Sequence, residues 1–421
     1  MKTVPRELVV RPPVNPMRQE WMMSAPVRLV SLGVVAVVVL SSWAVNAARP
    51  VPGPQLVRTV PMSISGGAGP QLPWPAGAQA AIEVAGSDPL AATANPRPLP
   101  ISSVAKIMTA VLVLQERPLQ PGQQGPQITI DAAAVQDYDA AQADGESTLP
   151  VEMGEHLTEY QALQALLLQP ANNIATLLAR WVSGSVAAFV QQMNATSQAL
   201  RMGHTTFADA GGVSNQTVST PADLTVLGRS AMSNPVLAAI VAQPDAALPV
   251  AGTVPNLDSA LGTAGIVGLK AGSVPAPVGA TFLFAGEEPV PGVGTVLIVG
   301  AVQALPTLAD AYAAARSLLI AAASGISLQT AVHRGQTVGR IQTASGALSP
   351  VVASRDLAVP NTFGSPITLR LQASAPRLPA AAGTVVGNLQ AASGRASFSV
   401  PVATSQNLDS PSPIWRLLRS G

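Results

Sequence analysis

No cysteine occurs among the 421 residues, which excludes disulfide frameworks, thiolate metal sites and a cysteine nucleophile. Histidine is nearly as scarce. The three present, His156, His204 and His333, are scattered and leave no H-E-x-x-H zinc spacing. Aromatic residues make up 3% of the chain and charged residues 11%, well under the ~25% charged of ordinary soluble domains. The core must therefore be built from small aliphatics, and a 48% hydrophobic content excludes a charge-driven disordered chain. A net charge of +1 without basic runs gives no electrostatic footprint for nucleic acid. The sharpest scarcity is lysine. Of 23 basic residues only Lys2, Lys106 and Lys270 are lysine; the rest are arginine. Arginine stays protonated in proteins, whereas a buried lysine can lose its proton and act as a base. A lysine kept in an arginine-biased chain is thus a candidate for chemistry that arginine cannot perform.

Residues 1–28 carry Lys2, Arg6, Arg11, Arg18 and Arg28 against Glu7 and Glu20, and from Leu29 to Val45 no residue is charged. That apolar run falls between the length of a signal-peptide core and that of a spanning helix. The pattern predicts a cytoplasmic leader at 1–28 and a signal segment or membrane anchor at 29–47. The positive-inside bias places the remainder outside the cytoplasm. Residues 48–76 are rich in Pro and Gly without periodicity and predict an extended tether.

From residue 77 the texture changes. Strand-like alternation at Ala80–Val84, a turn at Gly86–Pro89 and a second short strand are followed by helical patterns. These run over Val104–Glu116, Thr158–Leu168, Asn172–Val182 and Val186–Arg201. Thr220-Pro221-Ala222-Asp223 predicts a capped helix start, with Asp223 returning the capping bond. Strands return at Ile266–Lys270, Thr281–Ala285 and Gly294–Gln303 before a last helix, Ala309–Ala323. Strands at both ends of a helical insert describe an α+β domain, 77–323, in which helices cover an antiparallel sheet. Short alternating runs between Gly- and Pro-containing turns predict a small all-β domain at 324–405. A short amphipathic, basic tail, 406–421, follows.

Lys106 lies three residues after Ser103 at the start of a predicted helix, on the same face, where its amine can reach the serine hydroxyl. Pro170-Ala171-Asn172 falls at a junction between two helical patterns, and Lys270-Ala271-Gly272-Ser273 follows in a strand-like run. Lysine-activated serine enzymes carry S-x-x-K, S-x-N and K-T-G in this order. The chain resembles the low-molecular-mass penicillin-binding proteins that are D-alanyl-D-alanine carboxypeptidases, peptidase family S11. Pro100–Thr109 resembles the family's serine motif, Gly154–Thr158 its pre-helix turn, and Phe189–Asn194 and Thr206–Gly212 two later family stretches. Pro170 stands in place of the middle serine, Ala271 in place of the K-T-G threonine, and Val274 where a second threonine is usual.

The resemblance implies a β-lactamase/transpeptidase-like fold followed by the β domain. It implies Ser103 as nucleophile, Lys106 as its base and Asn172 as the amide that holds substrate and lysine; a helix cap is the rival reading of Asn172. Lys270, Ala271, Gly272 and Ser273 would form the substrate-binding strand, with the N–H groups of Ser103 and Ser273 as the oxyanion hole. The implied substrate is a peptidoglycan stem peptide ending in D-Ala-D-Ala, with β-lactams as covalent inhibitors and no metal or cofactor. A homologue that binds cell-wall peptide or a protein partner without turnover is the alternative, since both departures remove hydroxyls that serve proton transfer and carboxylate binding.

Overall fold

The computed structural model describes residues 25–67, 69–85, 90–394 and 396–419. Most of the expected leader and the turn expected at Gly86–Pro89 lie outside the described residues. Helix α1 (Ala25–Ala48) is apolar all round, with Leu29, Val35 and Leu40 exposed. It is long and apolar enough to cross a membrane by length and composition.

Beyond α1 comes a five-stranded antiparallel sheet in the order Ile266–Val274, Gly279–Val290, Gly294–Leu305, Gln79–Val84, Ala91–Ala92. Its long strands are buried on both faces, and their side chains divide by the two-residue period of a strand. Leu283, Ala285, Val299 and Ala301 face a helical layer. That layer comprises α2 (Ala105–Glu116), α3 (Ala132–Ala143), α4 (Glu159–Leu168), α5 (Asn172–Ser183), α6 (Val186–Ala199), α7 (Pro221–Met232) and α8 (Pro235–Val241). The alternate residues Phe282, Phe284, Ile298 and Val302 pack on the other face against Ala311, Ala315, Leu318 and Leu319 of α9 (Leu308–Ser324). Phe282 meets Tyr312 edge-on, with ring centroids 4.9 Å apart.

Local signals explain the helix ends that position the site. Thr158 and Gln161 form a reciprocal capping box that starts α4. Thr220 caps α7 by accepting from the Asp223 N–H at 3.3 Å. Asp223 does not return that bond as expected. Its carboxylate instead accepts from the His204 N–H and the Thr205 hydroxyl, both at 2.8 Å, and ties the preceding loop to the helix.

The second sheet has seven strands in the order Gln55–Arg58, Thr337–Gln342, Leu348–Ala353, Ala396–Thr404, Val385–Ser393, Ile367–Ala373, Ser63–Ile64. Its core contains Val338, Ile341, Val351, Leu369, Leu389 and Val402. The tether expected at 48–76 is corrected here, since two of its stretches are the edge strands of this sheet. Gln55–Arg58 pairs antiparallel with Gly339–Gln342, and Ser63–Ile64 pairs with Ile367–Thr368. The prolines of this segment flank the strands and so remove no ladder donor within them. Tail helix α10 (Pro413–Leu418) docks on the end of α1. Asn46 donates to the carbonyls of Leu417 and Arg419, and the Arg419 guanidinium donates to those of Asn46 and Arg49.

Candidate active site

Ser103 sits in a 3-10 turn, Ser102–Val104, that runs into α2. Ser102 has φ = 47°, a left-handed conformation uncommon for a residue with a Cβ. Two glycines make room for this turn. A Cβ on Gly212 would overlap the Ser102 carbonyl. One on Gly272 would stand 2.8 Å from the Ser103 nitrogen and 2.9 Å from the Ser102 Cβ. The strand Ile266–Val274 therefore passes directly beside the serine only because residue 272 has no side chain.

Lys106 is wholly buried, with 0% of its surface exposed. Its Nζ donates to Asn172 Oδ1 at 2.5 Å and to the Gly211 carbonyl at 2.6 Å, and lies 3.3 Å from Ser103 Oγ. Asn172 is the first residue of α5, whose N-cap Ala171 makes no side-chain cap bond. The cap reading of Asn172 is thereby set aside. Its Nδ2 donates to Glu146 Oε2 at 2.8 Å, and because a carboxylate only accepts, that bond fixes Oδ1 toward the lysine.

Burial, then the nearby Lys270 charge, lower the Lys106 pKa to about 7, against upward pulls from Asp209 and Glu146. A neutral amine has two N–H donors and one lone pair. The Asn172 and Gly211 oxygens, both acceptors, take the donors, which leaves the lone pair for the Ser103 hydroxyl.

The Gly211 carbonyl is aimed by Asp209, whose carboxylate accepts from the N–H groups of Gly211, Gly212, Val213 and Ser214. Asn194 fastens the same loop, accepting from the Phe207 N–H at 2.9 Å and donating to its carbonyl at 2.8 Å. Sequence reasoning found these two stretches but gave Asp209, Gly211 and Asn194 no task. An Asp two residues before Gly-Gly is the available signal for such a nest. Nothing in the sequence singles out Glu146.

Lys270 is 5% exposed and donates to the Leu167 carbonyl at 2.9 Å, in the last turn of α4. Burial lowers its pKa to about 8, and Asp258 opposes that shift. A cleft of about 250 Å³ brings Ser103, Lys270, Ala271, Gly272 and Ser273 together with Pro170, and also with Ser147, Asp258 and Tyr312, which sequence reasoning missed. Val274, the last residue of the strand, does not line it. A larger hollow of about 410 Å³ lies beside the tail helix and shares no residue with this cleft. His156 lies outside the cleft, its Nδ1 3.1 Å from the Thr129 hydroxyl.

Residues 71–256 match the sequence model of the D-alanyl-D-alanine carboxypeptidase family. A D-alanyl-D-alanine endopeptidase of Escherichia coli strain K12 is 30% identical over 129 residues, 30% of this chain and 38% of that protein. The D-alanyl-D-alanine carboxypeptidase DacB2 of Mycobacterium tuberculosis strain H37Rv is 32% identical over 153 residues, 36% of this chain and 48% of that protein. The chain thus spans less than half the length of these curated relatives. Among solved structures, penicillin binding protein 5 of Haemophilus influenzae superposes with a TM-score of 0.55 at 16% identity, over 86% of this chain and 100% of that one. The D-alanyl-D-alanine carboxypeptidase DacD of Francisella tularensis gives 0.57 at 17% identity, over 81% and 95%. Both likenesses establish the fold, a helix-covered antiparallel sheet followed by a β domain. Residues 71–256 thus resemble the D-alanyl-D-alanine carboxypeptidase family in sequence, and the chain shares the fold of these solved structures.

Proposed function

We propose that the chain is a serine-type D-Ala-D-Ala carboxypeptidase that removes the terminal D-alanine of peptidoglycan stem peptides through an acyl-enzyme on Ser103. The observation that carries this reading is the Lys106 amine, buried between two obligate acceptors and open only toward Ser103 Oγ. Ser103 Oγ attacks the carbonyl carbon of the penultimate D-alanine while its proton passes to Lys106 Nζ. The N–H groups of Ser103 and Ser273 face the oxyanion of the tetrahedral adduct. Collapse breaks the C–N bond, Lys106 returns the proton to the departing amine, and D-alanine leaves. Water then attacks the ester, Lys106 takes its proton, and Ser103 is released with a free carboxyl product. Helix α1 supports action outside the cytoplasm from a membrane anchor or after export.

Pro170 and Ala271, both lining the cleft, favour the second reading, a module that binds cell-wall peptide or a protein partner without turnover. One experiment separates the two. Full-length chain and Ser103→Ala are incubated to completion with a fluorescent penicillin and assayed for D-alanine release from a D-Ala-D-Ala peptide. The enzyme reading expects labelling and release that depend on Ser103, and larger release in Pro170→Ser/Ala271→Thr. A folded chain with neither activity, native and restored, leaves the binding reading.

A further inference from the structure

The hollow of about 410 Å³ beside the tail helix is within the ~300–1,000 Å³ of small-ligand sites, and α1 fixes where it sits. The apolar span Leu29–Ala48 is 20 residues long, about 30 Å of helix, which matches the hydrocarbon core of a bilayer. Arg49 is the next residue and lines the hollow, so the hollow begins where the hydrocarbon ends and the phosphate layer starts. Exposed Trp43 on α1 and Trp415 on α10 stand at the same end, the level of an interfacial aromatic belt.

The charge there is unbalanced. Arg49 and Arg419 line the hollow, and no acidic residue does. Neither arginine has a carboxylate partner among the described residues, where the ion pairs are Arg180–Asp137 and Arg229–Glu83. Arg419 is fixed in place. Its guanidinium donates to the carbonyls of Asn46 at 2.8 Å, Arg49 at 2.6 Å and Pro50 at 3.3 Å, and lies 5.7 Å from the centre of the Trp415 ring. The Arg49 guanidinium makes no hydrogen bond among the described residues. Gln55 and Gln342 stand directly opposite each other on the paired strands, so their side chains share one face, and neither amide has a partner among the described residues. An unopposed guanidinium fork and two free amides form a donor set suited to phosphate oxygens. The positive-inside bias also disfavours arginine just outside a span, so two arginines at this level point to an anion that meets them there.

We propose that this hollow binds the phosphodiester of a phospholipid headgroup from the bilayer that α1 spans. The Arg49 guanidinium takes the phosphate oxygens, the Gln55 and Gln342 amides donate from the sheet, and Arg419 is a fixed positive charge behind them. A soluble phosphate offers the same chemistry, but the place of the hollow at the end of the span favours the lipid. One bound lipid ties the first strand of the β domain, Gln55–Arg58, to the membrane face. The inference is independent of the serine chemistry and needs only that α1 stays in the bilayer.

The test counts bound lipid by native mass spectrometry. Full-length chain in a non-ionic, phosphate-free detergent is titrated with dioleoyl phosphatidylglycerol and, separately, with dioleoylglycerol, which has the same acyl chains and no phosphate. One phosphatidylglycerol per chain is expected to bind at least about tenfold more tightly than dioleoylglycerol. Arg49→Gln is expected to weaken it about tenfold, the worth of one charge-assisted contact, and Gln55→Ala/Gln342→Ala about threefold. Arg416→Gln removes the same charge from an exposed position of α10 that does not line the hollow, and is expected to change binding less than about twofold. Equal binding of the two lipids by the unsubstituted chain overturns the inference even if a variant does not fold. So does equal weakening by Arg49→Gln and Arg416→Gln, the sign of diffuse attraction to basic residues. Displacement of the lipid by millimolar inorganic phosphate overturns the lipid source in favour of a soluble phosphate. Flotation with phosphatidylglycerol vesicles reports separately on α1. A chain that does not float overturns the membrane reading of α1 and this inference with it. A chain that floats yet binds the two lipids equally sinks this inference alone.

Discussion

On the proposed mechanism, with Lys106 as base, raising the pH from 6 to 8 should speed acylation of Ser103 by a penicillin about tenfold, because burial has brought the Lys106 pKa to about 7. Only neutral Lys106 accepts the serine proton, and at that pKa its neutral fraction rises from about 0.09 at pH 6 to about 0.91 at pH 8. An ordinary lysine near 10.5 would instead give a hundredfold rise over the same interval with no plateau. The assay is the initial rate of covalent labelling at subsaturating fluorescent penicillin, followed from pH 5.5 to 9. Two neighbours supply internal controls of opposite sign. Lys270 holds the Lys106 pKa down, so Lys270→Met should move the midpoint up, whatever it does to the plateau. Glu146 pulls the pKa up, so Glu146→Gln, which still offers Asn172 an acceptor, should move the midpoint down. A rate that climbs without levelling by pH 8.5, or a Lys270→Met midpoint that stays put or falls, would refute Lys106 as the buried base.

Gly272→Ala should slow labelling about tenfold to hundredfold while circular dichroism stays native, since the new Cβ would stand 2.8 Å from the Ser103 nitrogen and force the strand and Ser103 apart; unchanged labelling would mean that the strand does not border the serine as described. Glu159, 1% exposed with Oε1 lacking a hydrogen-bond partner, has its pKa raised by burial to about 7. The folded state therefore holds a proton that the unfolded state releases above about 4.5, and stability is lost as pH rises through 7. Glu159→Gln should accordingly raise the melting temperature at pH 8 and do little at pH 4.5, and a gain of equal size at both would contradict the burial argument.

Much of the α+β layout was legible because its helices and strands carry strong periods. Helix α3 was missed since its small residues, Ala132-Ala133-Ala134 and Ala140-Ala141, form no apolar stripe distinct from the rest of its surface. The strands Leu348–Ala353 and Leu357–Thr362 were missed because each contains a proline, which argues against a central strand. Both prolines are accommodated by position. Pro350 lies beyond the end of the ladder that joins Val351–Ala353 to Ala396–Thr404, and Pro360 belongs to a two-stranded sheet, where its strand pairs with one neighbour among the described residues. The edge strands at 55–58 and 63–64 left no trace in the sequence, because their pairing partners lie some three hundred residues away and no local pattern encodes that distance.

The site divides along the same line. Ser103 and Lys106 are one helical turn apart and could be read together, whereas the Lys106 acceptors come from 66 and 105 residues away and could not. Two of the three scarce lysines, Lys106 and Lys270, lie among the described residues, and both side chains are buried. Rarity therefore marked the burial of an amine rather than a particular chemistry. What distinguishes the two is the set of groups around each. The Lys106 amine meets two oxygens that only accept and one hydroxyl with a proton to give, which is the setting of a base. The Lys270 amine meets a helix-end carbonyl and faces a carboxylate, which is the setting of a fixed charge. An arginine at 106 would keep its proton and lose the first function. At 270 an arginine would preserve the charge, but its fork would have to fit where a single amine now reaches the Leu167 carbonyl from a strand packed against the Ser103 turn.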